Sequence, residues 1–428
     1  MNFKEDLLIH RFGVNYTPSK NWYFCWNDWE PDSIARDFDA IAALGADHIR
    51  LMLIWPYFQP NPTWVSPLHL DRLEQLMGLA HARRLNVLVT VFTGFLSGWH
   101  FPPPFYKTGD LYTSPEMFRA QSFMIKALAA RLKTHPNLIG FDIGNEINCF
   151  ATAKLQDGDA WMDKVLTLME AELPDHVHVN GVDHAPWFHV NTFSPQRLAT
   201  RQPIVTLHCW IKFTEALRHG TAMQPPCIKL AAAMTALARS YGGDPKKPVW
   251  IQEYGASDEW MEAADIPVFL EETTMSAIEE GASWFTWWDS HDVDRKFEFG
   301  SLEYGLGLLT SENKPKPQAQ AFKEIAGHYR GKPVVIPQRP LPPPPVEQND
   351  AATWRWLLDW IAGQGRIWGI RFQRHHDFDD PVGLRVITKH MLDAKREQLF
   401  MPPADADHRD AEQPAHTHIP RRIAKIDH

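Results

Sequence analysis

Short apolar runs alternate with amphipathic stretches from Phe12 to about residue 330. Several runs, such as Asn86–Phe92, are almost continuously apolar, which is typical of parallel strands covered on both faces. The pattern predicts strands over residues 12–16, 47–54, 86–92, 138–144, 176–181, 203–208, 248–253 and 283–288. It predicts helices over residues 31–45, 68–84, 114–135, 158–173, 228–241, 264–280 and 316–328.

Eight strand–helix alternations over about 320 residues predict an α/β protein with the (β/α)8 TIM barrel fold. A doubly wound open sheet is the rival, but no glycine-rich phosphate motif follows the first strand to favour it. The predicted helix-to-strand turns are short, whereas the strand-to-helix loops 93–113, 209–227 and 289–313 are long. In these barrels the long loops form the active face at the C-terminal ends of the strands.

The character of the chain changes after residue 330. The proline-rich segment Gln338–Val346 predicts an extended, semi-rigid linker, and residues 352–362 have the pattern of a short amphipathic helix. Beyond about residue 400 the chain is polar and charged, and we expect it to be disordered or loosely packed. We therefore predict a catalytic barrel over residues 1–330, a linker over 331–350 and an extension of unassigned role over 351–428.

Composition narrows the function classes. The formal net charge is −9 and no long basic run occurs, which argues against a nucleic-acid partner. No stretch approaches the roughly 20 apolar residues of a membrane span. The first residues lack the apolar core of a secretory signal, and the four cysteines show no CxxC spacing, so we expect reduced thiols and a cytoplasmic location. The sequence gives no indication of oligomeric state.

Two glutamates carry the candidate chemistry. Glu146 and Glu253 each close an apolar run, with the carboxylate at the C-terminal end of a predicted strand. The fourth and seventh strands lie roughly across a barrel, so we expect the two carboxylates to share its mouth. A separation of about 5–5.5 Å would indicate a retaining glycosidase. Two other roles stay open: Glu146 as a cap of the following segment, and Glu253 as the partner of a structural arginine.

These motifs resemble the clan A glycoside hydrolases, most closely the cellulase-like family five, from residue 12 to about residue 328. The resemblance implies that Glu146 is the acid/base and Glu253 the nucleophile. It also implies a substrate-binding or supporting role for residues on the second, fourth, sixth and eighth strands, namely Arg50, Asn145, His208 and Trp287. Asn145 would bind the substrate 2-hydroxyl, and Trp287 would be the platform beneath the sugar.

Each of these residues also has a structural interpretation. Arg50 could be an ion-pair partner and His208 a satisfied core histidine. Trp287 and Trp288 point to opposite sides of a regular strand, so one faces the mouth and the other the helices, and the resemblance favours Trp287 for the mouth. Trp210 could line the site or pack on the surface.

The chain departs from the family pattern at two positions. The family has a tyrosine two residues after the sixth-strand histidine, where this chain has Trp210, and an indole N–H donates from a different position. The third predicted strand also ends without the histidine that is common in the family. We therefore do not assign cellulase activity.

The sequence predicts a retaining β-glycosidase that acts on oligosaccharides or glycosides, with carbohydrate as its partner. No cofactor and no metal are implied, because carboxylates and protons are sufficient for this chemistry. The alternatives are a non-catalytic carbohydrate-binding barrel and a metal-dependent barrel hydrolase. The His176-Val-His178 spacing would suit the latter, but it falls at the start of the fifth predicted strand.

Overall fold

A computed structural model describes residues 3–368 of the chain. The strands are β1 Arg11–Asn15, β2 His48–Ile54, β3 Asn86–Thr93, β4 Phe95–Leu96, β5 Trp99–His100, β6 Leu138–Asp142, β7 Val205–His208, β8 Val249–Tyr254 and β9 Trp284–Trp287. The helices are α1 Pro31–Ala43, α2 Trp55–Phe58, α3 Pro67–Ala82, α4 Pro115–Leu132, α5 Ile147–Phe150, α6 Leu155–Glu172, α7 Ala185–Phe188, α8 Pro195–Arg201, α9 Pro225–Ile228, α10 Leu230–Gly242, α11 Ile266–Glu279, α12 Pro317–Tyr329 and α13 Asp350–Trp368.

Seven parallel strands form a curled sheet in the order β6-β3-β2-β1-β9-β8-β7. Strand β1 pairs with both β2 and β9, so the first and last strands of the barrel are neighbours. The seven strands are buried along almost their whole length, as expected for strands packed between a barrel interior and a ring of helices. The (β/α)8 prediction is confirmed. Strands β4 and β5 form a separate antiparallel hairpin over the sheet's C-terminal edge.

The predicted fifth strand is irregular. Residues 177–181 run beside β6, where the Val177 and Val179 N–H groups donate to Ile139 O and Phe141 O at 2.9 and 3.0 Å. Toward β7, side chains replace the ladder. Gln202 Oε1 accepts from Asn180 N at 2.6 Å. The barrel therefore holds this segment in the fifth position without a regular strand.

The lower interior of the barrel is filled by apolar side chains. Trp250 and Trp284 pack edge to face with ring centroids 4.8 Å apart, together with Leu88 and Ile139. Above them Thr286 Oγ1 accepts from Trp250 Nε1 at 2.7 Å and lies 2.8 Å from His48 Nε2. Packing is thus apolar toward the N-terminal ends of the strands, and polar groups begin toward their C-terminal ends, where the charged residues follow.

The amphipathic helix predicted over 352–362 is present as the central part of α13. It packs against the barrel: Trp354 Nε1 donates to Thr214 O at 2.9 Å, and Thr353 Oγ1 donates to Phe188 O at 3.0 Å. Trp356 Nε1 donates to Pro343 O at 2.7 Å, which attaches the proline-rich segment to the helix. The rest of the extension predicted for 351–428 lies outside the described residues. Between residues 3 and 368, no helix combines the length and apolar character that a membrane span requires.

Candidate active site

Arg50, at the centre of β2, organises the C-terminal end of the barrel. The side chain is fully buried; its Nη1 donates to Glu253 Oε1 at 2.6 Å and its Nε to Asp142 Oδ2 at 2.9 Å. Asn15 Oδ1 accepts a third bond from Nη1 at 3.1 Å. Although burial opposes the charge, the two carboxylates raise the pKa of Arg50, so the guanidinium stays charged. Arg50 is an ion-pair partner, as one interpretation of the sequence held, and one of its partners is the candidate nucleophile.

Strand β8 carries one extra residue where it reaches the site. Leu207 is paired with Ile251 and His208 with Glu253, so Gln252 is unmatched in the ladder with β7. A bulge of this kind bends the strand and re-aims side chains. Because of it, consecutive residues both serve the site: Gln252 Oε1 lies 3.1 Å from His208 Nε2, while Glu253 faces Arg50 and the cavity.

Glu146 follows β6 in a left-handed backbone conformation, with φ 43° and ψ 50°. Such a conformation is costly for a residue with a side chain and often marks functional sites. The Glu146 N–H donates to Gly181 O at 2.7 Å, which holds the turn. Glu146 stands at the start of α5, but its side chain caps no backbone N–H there. Its Oε1 lies instead 2.9 Å from His208 Nδ1, so the capping interpretation of its carboxylate does not hold.

The two glutamates meet. One oxygen of Glu146, one oxygen of Glu253 and a ring nitrogen of His208 all lie within 4.8 Å of one another. This approach is closer than the roughly 6.5–9.5 Å at which inverting enzymes hold their carboxyl groups apart for a water molecule, and it agrees with the closer pair of retaining enzymes.

The surroundings of the two carboxyl groups differ. Burial, with a further contribution from the charge of Asp183, raises the pKa of Glu146 to about 8. Burial also raises the pKa of Glu253, and the charge of Glu146 adds to that rise, but the Arg50 guanidinium and the Trp210 indole oppose it. Groups that favour the ionised form thus surround Glu253, while Glu146 is placed to keep its proton near neutral pH.

His208 lies between the carboxyl groups. Burial lowers the pKa of His208, which favours a neutral ring. If Nε2 carries the ring proton and donates a hydrogen bond to Gln252 Oε1, Nδ1 can accept a hydrogen bond from the protonated carboxyl group of Glu146. Neutral His208 and protonated Glu146 form a consistent pair. His208 is buried and hydrogen-bonded, as the core interpretation required, but its partners belong to the site.

The tryptophans are arranged differently from the prediction. The sequence favoured Trp287 as the tryptophan that faces the mouth, but of the pair it is Trp288 that lines the cavity. Trp287 Nε1 donates to Leu306 O at 3.2 Å and its ring packs edge to face on Tyr254, away from the cavity. Trp288 lines the cavity instead, because the alternation along β9 places it on the inner side of the barrel, the side of Trp284 and Thr286. Trp210 also lines the cavity and donates its indole N–H to Glu253 Oε2 at 3.2 Å.

A cavity of about 500 Å³ lies over these groups. Phe95 and Ser97 of the β4–β5 hairpin form one part of its wall, and Leu302, Glu303 and Leu306 of the 289–313 loop form another. A third group of lining residues consists of Asn145, Cys149, Asp183, His184 and Phe213. The long loops predicted to build the active face therefore do line the cavity.

Asn145 has an unsatisfied acceptor in this cavity. Its Nδ2 donates to Phe95 O at 3.1 Å, which fixes the amide, while its buried Oδ1 has no hydrogen-bond partner among the described residues. A buried acceptor without a partner is costly unless a ligand satisfies it. The orientation suits a hydroxyl donor of a bound sugar.

Several residues of the site were missed from the sequence. Asp142 binds Arg50 and accepts from Gly181 N at 2.7 Å, and Gln252 binds His208. Asp142 left a signal, because a carboxylate inside an apolar strand requires a cationic partner. Gln252 and Glu303 left none, since one depends on the β8 bulge and the other on the course of a long loop.

The grouping of Glu146, His208 and Glu253 has donor atoms that could face a cation. Arg50 already neutralises Glu253, and the raised pKa of Glu146 removes a second charge, so the donor set does not favour a divalent metal. His178 of the His-x-His pattern has Nδ1 3.2 Å from Phe141 N and Nε2 2.9 Å from Leu173 O. Its ring is committed to the backbone.

Comparison with known proteins agrees with this geometry. The family profile described as Cellulase (glycosyl hydrolase family 5) matches residues 10–294. GH5_18 from Streptomyces cattleya, solved with Manβ1-4GlcNAc, is 31% identical with a TM-score of 0.76, over 83% of this chain and 92% of that one. A GH5_18 from Bifidobacterium longum subsp. infantis is 32% identical with a TM-score of 0.72, over 76% and 80% of the two chains.

GH5_18 from Bifidobacterium longum subsp. longum, also solved with Manβ1-4GlcNAc, is 27% identical with a TM-score of 0.74, over 89% of this chain and 100% of that one. Among curated proteins the search found no significant match. The chain belongs to glycosyl hydrolase family 5. It is a retaining β-glycoside hydrolase on a (β/α)8 barrel.

Proposed function

We propose that the chain is a β-mannosidase that releases terminal mannose from short β-1,4-linked oligosaccharides such as Manβ1-4GlcNAc. Two relatives that resemble this chain over most of its length have been solved with that disaccharide. The observation that carries the proposal is the pairing of Glu146 with Glu253 beneath a cavity of about 500 Å³, a volume suited to a small oligosaccharide.

In this proposal Glu253 attacks the anomeric carbon and Glu146 protonates the departing oxygen. The glycosyl–Glu253 ester forms as the glycosidic bond breaks. Glu146, now ionised, removes a proton from water, and the attack of that water on the anomeric carbon releases the sugar and restores Glu253. Arg50 and Trp210 stabilise the carboxylate of Glu253 before attack and on its release.

Asn145 and Trp288 bind the sugar at the cleavage site. The Oδ1 of Asn145, which has no hydrogen-bond partner in the described part of the chain, accepts a hydrogen bond from the 2-hydroxyl group, a contact that strengthens in the transition state. Trp288 replaces Trp287 as the proposed platform, because it is the tryptophan of the pair that lines the cavity. Stacking of an indole on the apolar face of a pyranose orients the ring over Glu253.

Exo-action is part of the proposal. Ser97 and Glu303 join the two long loops across the wall of the cavity, through a hydrogen bond of 3.0 Å. A wall at that position limits the length of chain that can enter beyond the cleaved bond. Random internal cleavage of a mannan or of mannohexaose would contradict exo-action.

We also place the enzyme in the cytoplasm. Cys25, Cys149, Cys209 and Cys227 are all free thiols, which is typical of a reducing compartment. Cell fractionation of the native host tests this part, and recovery of the protein outside the cytoplasm would contradict it.

A screen of aryl β-glycosides and of Manβ1-4GlcNAc tests the substrate assignment. We expect the highest kcat/KM for the β-mannosides, with β-mannose as the first anomer in proton NMR spectra. Preference for an aryl β-glucoside or β-galactoside would reject mannose as the sugar. The α-anomer as first product would contradict the double-displacement assignment of Glu146 and Glu253.

A further inference from the structure

The long loops 93–113 and 289–313 contact each other through a hydrogen bond and through a pair of aromatic rings. Ser97 Oγ, at the tip of the β4–β5 hairpin, donates to Glu303 Oε2 at 3.0 Å. Beside this bond, Trp99 and Phe299 pack with ring centroids 5.4 Å apart. Trp22, buried beneath them, packs on Phe299 at 4.7 Å. The aromatic contact holds the loops together, so Glu303 has a defined place in the cavity wall.

The hairpin turn holds Ser97 in a strained backbone conformation. Ser97 and Gly98 form a two-residue turn with φ values of 50° and 79°. Glycine and asparagine are the residues best suited to the first position of such a turn, and serine is strained there. The serine hydroxyl makes the bond to Glu303 that glycine could not make.

Glu303 is a carboxyl group that the catalytic chemistry does not use. It lines the cavity, and Ser97 is its side-chain hydrogen-bond partner among the described residues, through Oε2 alone. Oε1 therefore has no protein donor within residues 3–368. Burial raises the pKa of Glu303 to about 7, and the charge of Glu253 contributes to that rise. A carboxyl group at this pKa can both accept and donate hydrogen bonds near neutral pH.

The cavity and the course of the loop relate Glu303 to the retained sugar. The charge of Glu253 acts on Glu303, whereas the charge of Asp183 acts on Glu146. In a double displacement the nucleophile contacts the sugar that is retained, and the acid contacts the leaving group. Glu303 lines the same cavity as Glu253, and its loop follows Trp288, the proposed platform, so we place Glu303 on the side of the retained sugar.

We propose that Glu303 is a specificity-determining residue that binds hydroxyl groups of the retained terminal sugar through Oε1, while Ser97 fixes its orientation through Oε2. The inference rests on the proposed function for the identity of that sugar. The hydroxyl groups in question are those remote from the anomeric carbon, because Asn145 and the catalytic pair occupy the surroundings of carbons 1 and 2. Glu303 would thus distinguish sugars by the position of these hydroxyl groups.

Deoxy substrates test this contact. The kcat/KM of the wild type is measured on an aryl β-mannoside and on its 3-, 4- and 6-deoxy analogues. We expect at least one analogue to lose about 10- to 100-fold, the range for a hydrogen bond to a charged group. In Glu303→Ala the parent substrate should lose a similar factor, and the discrimination between the parent and that analogue should disappear. A general structural defect would lower both substrates equally and leave the discrimination intact.

Three further variants sharpen the result. Glu303→Gln keeps the size and the bond to Ser97, so it should fold even if Glu303→Ala does not, and its discrimination should shrink. Ser97→Ala should weaken the parent reaction several-fold with the same analogue affected. Glu298→Ala, an exposed glutamate of the same loop, should match the wild type.

Discrimination equal to that of the wild type in both Glu303 variants would overturn the proposal. The outcome is separable from the proposed function. If another aryl β-glycoside proves to be the substrate, the mannose assignment fails, and the same comparison is made with deoxy analogues of that glycoside. The proposed role of Glu303 is tested by that comparison alone.

Discussion

The indole N–H of Trp210 donates to Glu253 Oε2 at 3.2 Å. Arg50 binds the other oxygen, so each oxygen of Glu253 has its own donor. The chain therefore supports its candidate nucleophile from the position where its family has a tyrosine two residues after the sixth-strand histidine. The larger indole reaches the carboxylate while its ring packs edge to face on Trp288 and Trp260.

Replacing Trp210 by phenylalanine should weaken catalysis by loss of this donor. We expect kcat to fall about 10-fold, in line with a hydrogen bond to a charged group. The acid limb of the kcat/KM profile should also move to higher pH, because the indole lowers the pKa of Glu253. Trp260→Phe is the control, since Trp260 packs on Trp210 without reaching Glu253. An unchanged acid limb in Trp210→Phe would contradict the assigned role.

The two glutamates should give distinct products in azide rescue. Glu253→Gly and Glu146→Ala should each lower kcat on natural substrates by about 10³-fold or more. In the proposed mechanism Glu253 forms and releases the covalent intermediate, and Glu146 acts as the acid in the first step and as the base in the second. Azide should restore Glu253→Gly with formation of the inverted glycosyl azide, and Glu146→Ala with the retained one. The anomer is read by proton NMR. The same anomer from both variants would show that the roles are misassigned.

The pH dependence follows from the unequal carboxyl groups. The proposed acid role requires a protonated Glu146, and because its pKa is raised to about 8, kcat/KM should fall as pH rises through about 8. Stability has the same sign: folded Glu146 holds its proton above the pH where the unfolded residue loses it. The contribution of Glu146 to stability is therefore complete at acid pH and decreases as pH rises toward 8.

Glu146→Gln separates this effect from other titrations. The variant should gain Tm relative to the wild type at pH 9, and this gain should shrink or vanish at pH 4. Thermal unfolding at a series of pH values measures the difference. A constant difference across the series would show that Glu146 titrates normally.

The sequence predicted the barrel well because its strands are continuous apolar runs. Such runs are typical of parallel strands that are covered on both faces. It also placed Arg50, Glu146, His208 and Glu253, since each lies in or just after a strand whose direction sets the side chain's position. The resemblance favoured Trp287 over Trp288, whereas the alternation along β9 puts Trp288 on the side of Trp284 and Thr286, toward the cavity. The β8 bulge and the Ser97–Glu303 contact could not be predicted from the sequence, since both arise from tertiary packing rather than local pattern.

Gly181 should tolerate no side chain. A Cβ at this position would lie 2.5 Å from Gln252 Oε1, 2.7 Å from Asp142 Oδ2 and 2.8 Å from Arg50 Nη2. These atoms belong to the buried network behind Glu253, so they have little room to move. We expect Gly181→Ala to destabilise the fold by about 1–3 kcal/mol, as overpacking does, and to lower kcat by displacing Arg50.

Gly78→Ala is the matched control for that variant. Gly78 lies within α3, and an added Cβ would meet no atom within 4 Å. The helix should gain up to about 1 kcal/mol, because alanine has the higher helix propensity. Denaturant unfolding and steady-state kinetics of both variants provide the measurement. Equal activity in Gly181→Ala and Gly78→Ala would contradict the tight fit around Arg50.

Helix α13 should contribute to stability and to the shape of the cavity. Trp354 is buried, and its ring packs at a tilt on that of His219, with the centroids 4.3 Å apart. Its indole N–H donates to Thr214 O, next to the cavity-lining Phe213. Trp354→Ala should destabilise the protein by about 3–5 kcal/mol, the usual cost of emptying a buried aromatic site.

Trp356→Ala is the control within the same helix, because its indole is half-buried and bonds to Pro343 O rather than to a cavity loop. Denaturant unfolding gives the free energies, and KM for the preferred aryl β-glycoside should rise for Trp354→Ala and stay unchanged for Trp356→Ala. Similar unfolding free energies and KM values for the two variants would mean that α13 merely covers the barrel surface and does not support the loop of Phe213.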